Sequence, residues 1–238
     1  PAASTTNVAA YLSQTSGTQS RAINNIFAHN GGGRAILMSN ANFVYSDYNM
    51  LYTSGTILGT FGTAAINNLR RWIDTTGWDY NSITFKPAFT ANNNLEPDVT
   101  SPDVWGIHGR GTQIVGNATD FNGNARPVTV QTGVPDLGAY EFVPTSVPVA
   151  LVATPAAPAP NTTQKFSLGT DTVSIIKWGA TVPATITGKR FTGTKPSGLG
   201  ATQPFMYFYT DYDAPTGSYN YEMQQAYMDP WVGTIPTE

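Results

Sequence analysis

Two short runs decide how this chain is read: Asp120-Phe-Asn-Gly-Asn-Ala-Arg-Pro127 and, a few residues on, Asp136-Leu-Gly-Ala-Tyr-Glu-Phe142. The first is dense in turn formers, because Asp and Asn side chains bond nearby backbone amides and glycine supplies the freedom a tight reversal needs. Asp120, Asn122 and Asn124 are also spaced like the opening of a calcium loop. For such a loop, however, the glycine comes one or two positions early, and no acid closes it at the twelfth position. The run therefore reads as a structural Asx turn, with Arg126 pairing to Asp136 or to Glu141.

The 238 residues leave room for one large domain or two ordinary ones, with a substantial core. Charged residues make up 11%, against about 25% in an average domain, so Asn, Thr, Ser and Gly must cover the surface. That balance suits an extracellular β protein, whose ladders and turns use short polar side chains. The formal net charge is −3 and the longest basic run is Arg70-Arg71, which excludes a phosphate-tracking nucleic-acid surface. Cysteine is absent, so disulfides and thiolate metal sites are excluded. No apolar run approaches the ~20 residues that span a bilayer. The sequence opens at Pro1 without an initiator Met or a leader, as a piece of a longer protein would, and shows no polar cap there. More chain, or a partner molecule, is expected to cover its first coil.

Working back towards the start, residues 8–62 read as successive turns of a solenoid. Ile23-Asn-Asn-Ile-Phe27, Arg34-Ala-Ile-Leu-Met38, Phe43-Val-Tyr45 and Ser46–Tyr52 are short apolar strands separated by polar corners, Gly31-Gly-Gly33 among them. Asn25 and Asn49 lie 24 positions apart, each just before an apolar pair. A spacing in the low twenties fits one coil of a parallel β-helix, in which inward side chains stack and a corner Asn bonds its neighbour above and below. Ala64–Thr75 breaks the pattern: Ile66, Leu69 and Ile73 share one helical face, Trp72 lies beside them, and Gly77 is placed to stop the helix. Asp79–Phe89 is then expected to return to strand.

Val143–Thr163 is rich in Pro, Ala, Val and Thr and reads as a semi-rigid linker or an edge strand. The chain divides accordingly into 1–143, a linker at 144–163, and 164–238. Thr172–Trp178, Ala184–Thr187, Lys189–Thr192 and Pro204–Tyr209 alternate like strands of a small β-sandwich.

The paired runs, D-x-N-G-N-x-R-P followed by D-L-G-A-Y-E, resemble the closing segment of secreted bacterial parallel β-helix proteins described as choice-of-anchor Q domain proteins. The resemblance extends over about residues 20–142, through Ser46-Asp-Tyr-Asn49, the Trp-bearing helix and Asn81-Ser-Ile83. It implies a right-handed parallel β-helix, a secreted or cell-surface setting, and structural roles for Asp120, Asn122, Asn124, Arg126, Asp136 and Glu141. Ser101-Pro-Asp-Val-Trp-Gly-Ile-His-Gly-Arg-Gly111 departs from the S-P-A-I-D-x-G usual in that family, so the final coil is expected to differ in shape. The terminal module is similar, by analogy, to small β modules that follow β-helices in surface proteins of Bacteroidota.

Candidate chemistry is sparse. His29 and Arg34 flank the triple glycine with Asp47 nearby, and could serve as base and cation in a polysaccharide lyase or hydrolase. His108 and Arg110 form a second pair, opened to solvent by their glycines. Asp211 and Asp213, with Asp229, are candidates for a structural calcium site. Alternation places Phe205, Tyr207 and Tyr209 on one strand face, and Tyr207 and Tyr209, with Trp231, are the expected glycan-stacking positions. No cluster of charges recurs in register on consecutive coils. The expected function is therefore non-enzymatic: adhesion, surface display, or binding of a glycan or another surface protein. The rival is a β-helix enzyme whose groove lies on coils upstream.

Overall fold

The computed structural model describes residues 7–13, 17, 19–39, 44–91, 93–200 and 202–235. The strand residue Phe43 and the readings placed on Pro1 fall outside them. The chain is β-rich, with a single α-helix among the described residues.

Its first part is built from β1 (Val8–Leu12), β2 (Ser20–Ile23), β3 (Ile26–His29), β4 (Arg34–Met38), β5 (Val44–Asp47), β6 (Met50–Thr53), β7 (Gly59–Phe61) and β8 (Ala64–Ile66). Three parallel ladders form: β1 with β4 and β4 with β7, β2 with β5, and β3 with β6. Ile26 pairs with Met50 and Ser20 with Val44, so two ladders repeat at the Asn25–Asn49 spacing of 24. Period-two alternation sorts the side chains. Phe27 and Leu51 turn into one core with Ala35, Ile36, Met38 and Val44, whereas Ile26 and Met50 turn out into a second.

The polar corner is as ordered as the apolar core. Asn49 is 0% exposed; its Oδ1 accepts from the Asn25 backbone N–H (2.8 Å) and Nδ2 (3.2 Å). Its Nδ2 donates to Ala22 O (2.8 Å), Ser46 Oγ (3.0 Å) and Asp79 Oδ1 (3.2 Å). Asp79 is buried too, and takes further bonds from Ser46, Ser82 and Trp72 Nε1. Burial raises its carboxyl pKa in spite of those four donors. Ser46 and Asp79 are 33 apart, nine more than the earlier step. The added length is where the helix is looped out.

That helix is α1 (Leu69–Thr76), shorter than the sequence pattern suggested. Ala64–Ile66 instead forms β8, drawn into antiparallel pairing by the free edge of β7. Asn68 caps the helix by accepting from Arg71 N–H (2.9 Å), and Gly77 ends it at φ 72°. Eight residues are marginal alone, so burial of Leu69 and Trp72 in the first core must hold α1. Gly59 is obligatory there, because a Cβ on it would lie 2.8 Å from the Trp72 ring. Asp79–Phe89 does not return to regular strand. It makes a turn and a single parallel bridge from Ile83 to Met50, and only β9 (Phe89–Ala91) with β10 (Asn94–Pro97) resumes pairing, as a hairpin.

The later part holds β11 (Val152–Thr154), β12 (Thr163–Leu168), β13 (Asp171–Trp178), β14 (Thr187–Thr192), β15 (Phe208–Asp213) and β16 (Tyr221–Gln225). One sheet runs β11-β12-β13-β16 and another pairs β14 with β15, all antiparallel. Phe166, Val173, Ile176 and Trp178 make its core, with Tyr212 edge-on to Phe166 across the sheets. The Pro/Ala-rich segment contributes β11 as an edge strand and buries Leu151, so of the two sequence readings it follows the edge strand.

The two parts are tightly joined. Gly109 and Gly193, both at positive φ, cross so closely that a Cβ on Gly109 would lie 2.1 Å from Gly193 Cα. Thr192 Oγ1 donates to His108 O (2.6 Å), and Trp231 Nε1 to Gly109 O (2.7 Å). A file of rings, Tyr209, Phe191, Trp105, His108 and Phe142, crosses the joint at centroid spacings of 4.5, 5.1, 5.3 and 5.4 Å.

Candidate functional site

The two runs that open the sequence reading fold into one polar knot. Asp120 Oδ1 accepts from the Asn122 and Asn124 backbone amides, and Oδ2 from Asn124 Nδ2 and Glu141 N–H. This is an Asx turn, and its acceptors are already spent on the chain itself. Of the two expected partners Arg126 pairs with Glu141, its Nη1 lying 3.0 Å from Oε1; toward Asp136 it donates only to the backbone O, while Nη2 donates to Gly138 O. Asp136, 1% exposed, accepts from Gly109 N–H (2.6 Å) and Phe142 N–H (2.8 Å). Burial and the Asp136 charge push Glu141 up to about 8, against the pull of Arg126. The knot packs beside the β3–β6 ladder, where Gly138 N–H donates to Asn24 O.

His108 and Arg110 are not opened by their glycines; both are buried at the joint. His108 Nδ1 lies 2.8 Å from Asp136 Oδ1, at an angle that leaves it without a regular hydrogen bond. Arg110 pairs with Asp171 at 2.9 Å. His29 uses its Nδ1 lone pair to accept from Gly31 and Gly33 N–H, both at 3.1 Å, so a general base at that nitrogen is already occupied. Arg34 begins β4, and its Nε is buried with no hydrogen-bond partner.

The terminal aromatics are also largely engaged. Trp231 is 2% exposed, and the guanidinium groups of Arg110 and Arg190 lie 5.8 and 5.6 Å from its ring. It is a core residue of the joint and not a sugar platform. Tyr209 has one face stacked on Phe191, and Tyr207 donates its hydroxyl to Gln131 O (3.0 Å) while Phe205 packs edge-on to it. Asp211 faces Lys189 across the β14–β15 ladder, and among the described residues no third ligand joins Asp211 and Asp213 to make a metal-binding group.

A site that the sequence reading missed lies on the outer face of β2 and β5. Arg21 and Tyr45 are directly paired in the ladder, with the guanidinium carbon 5.4 Å from the ring centroid. Trp78 meets Tyr45 edge-on at 5.0 Å, extending the file towards the next coil. Arg21, Tyr45, Tyr48, Thr112 and Gln113 line an open cleft of about 520 Å³. Its far wall is pinned by Asn24, whose side chain exchanges two 2.8 Å bonds with the Thr112 backbone. Tyr48 sits at φ 53°, and Asn24, paired one ladder step earlier, at φ 62°. Asn tolerates that conformation; a Tyr there costs about 1–3 kcal/mol, which the surrounding structure must hold in place. Burial, then the charges of Asp47 and Asp229, push the Tyr48 hydroxyl up to about 12, so it stays a donor at neutral pH. The signal was in the sequence, since Arg21 and Tyr45 stand one Asn25–Asn49 period apart.

A larger groove of about 890 Å³ runs between the β3–β6 ladder and the hairpin, with Tyr52, Lys86, Asp98 and Asp103 on its walls. Bonds from Thr100 hold the Asp98 carboxyl below its usual range, the wrong direction for a general acid. No family model, curated protein or solved structure matches the chain.

Proposed function

We propose that the chain is part of a secreted or cell-surface protein of the choice-of-anchor Q kind that binds glycans and carries out no chemistry on them. Its first part is read as coils of a parallel β-helix, right-handed as crossovers between parallel strands almost always are, and its later part as a small β-sandwich. Three parallel ladders, two of them stepping by 24 residues, an Asn stack at the corner and a looped-out helix support the first reading. Two facing antiparallel sheets support the second. The resemblance of the paired runs supports the extracellular setting.

The observation that carries the function is the Arg21–Tyr45–Tyr48 cleft. It combines half-buried tyrosine rings with hydroxyl and cationic donors, the mixture by which a sugar's apolar face and hydroxyls are recognised together. The enzyme reading finds less support. The carboxyl groups raised by burial, Asp79 and Glu141, are locked in structural networks, while Asp98 in the large groove is shifted the other way. β1, β2 and β3 each leave one ladder edge without a strand partner among the described residues, so more chain or a partner is proposed to cover them.

The test is a binding screen of the whole chain on neutral and acidic polysaccharides, with reducing-end release and unsaturated-product absorbance followed in parallel. Binding without product is expected. Product formation that survives repurification would overturn the non-enzymatic reading.

A further inference from the structure

Resting on the glycan-binding reading, we propose that the cleft selects acidic glycans, Arg21 holding a carboxylate or sulfate while the sugar ring beside it lies against Tyr45. The β2–β5 register sets the guanidinium beside the Tyr45 ring, so that a planar cation and an aromatic surface line the cleft together. Arg21 is exposed, and among the described residues no carboxylate lies within ion-pair distance of it. Asp47, on the neighbouring strand β5, has its carboxylate engaged elsewhere, accepting from Asn81 N–H and Nδ2 and from Tyr48 N–H. The charges of Asp47 and Asp229 reach Tyr48, so that end of the cleft favours hydroxyl donors and the acidic group belongs at the exposed Arg21 guanidinium. Tyr48 is held at its strained corner with its hydroxyl protonated, while the Gln113 amide nitrogen is already committed to Gly133 O and Pro230 O.

Matched polymers test this: hyaluronan against its carboxyl-reduced counterpart, and dextran sulfate against dextran, each titrated into the whole chain by calorimetry at about 50 and about 500 mM salt. The acidic member of a pair should bind about tenfold tighter at low salt, with the advantage shrinking at high salt. Which pair shows it separates carboxylate from sulfate. Arg21→Gln should abolish the advantage, its affinity for the acidic member falling to that for the neutral member measured on the same variant, while Tyr45→Leu should weaken both members, circular dichroism verifying the fold of each variant. Equal binding of both members, or a preference that survives Arg21→Gln, overturns acidic selection and leaves the glycan-binding reading standing. If the folded wild type binds none of the four polymers, both fall together.

Discussion

Replacing Asn49 by Ala tests whether the polar corner holds the parallel ladders in register. The side chain is wholly buried, and its loss strips the Asn25 amide of its acceptor and removes one of the four donors to Asp79. An orphaned buried N–H costs about 1–3 kcal/mol, and the small cavity left behind adds to it, giving about 2–4 kcal/mol in total. Asn25→Ala is the internal control. It removes donors to Ile23 O and to Asn49 Oδ1, but that oxygen keeps its 2.8 Å bond from the Asn25 amide, so about 0.5–1 kcal/mol is expected. Urea unfolding followed by tryptophan fluorescence measures both, Trp72 being bonded to Asp79 in the same network. A cost for Asn49→Ala below about 1 kcal/mol, or equal to that of Asn25→Ala, refutes the register argument.

Glu141, raised by burial and by Asp136, favours the folded state most below its unfolded pKa of about 4.5. That contribution is lost as pH rises towards about 8, so stability should decline across this window and Glu141→Gln should flatten the slope; an unchanged slope in a pH series of urea midpoints would count against it. Gly109→Ala and Gly62→Ala share a positive φ, but only Gly109 meets another backbone, so its variant should be the less stable by at least about 1 kcal/mol in chemical denaturation. Trp231→Ala should cost about 3–5 kcal/mol of stability, as a buried ring does, whereas Tyr209→Ala should cost much less; equal losses would mean that Trp231 is not the anchor of the joint.

How much of this was legible in the chain depended on distance along it. The Asn25–Asn49 stack, the Asx turn at Asp120 and the stop at Gly77 use local chemistry or a repeat, and both can be read without a fold. Ala64-Ala65-Ile66 fits helix or strand equally, and the choice was made by the open edge of β7. His108 and Trp231 could not be placed from their neighbours. The glycine that suggested exposure at residue 109 exists for the crossing with Gly193, more than eighty residues away. The cleft lay between these cases: period 24 would have aligned Arg21 with Tyr45, but only the fold brings Thr112 and Gln113 across from them.

The five tryptophans are distributed in a way that makes unfolding of the molecule separable by region. Trp72 and Trp78 belong to the first apolar core, Trp105 to the second, Trp178 to the terminal sheets, and Trp231 to the joint. Single-tryptophan variants would therefore act as local reporters within one chain. Coincident transitions would mark the whole as one cooperative unit, whereas early loss of the Trp231 signal would show the terminal sheets undocking while the parallel ladders remain folded.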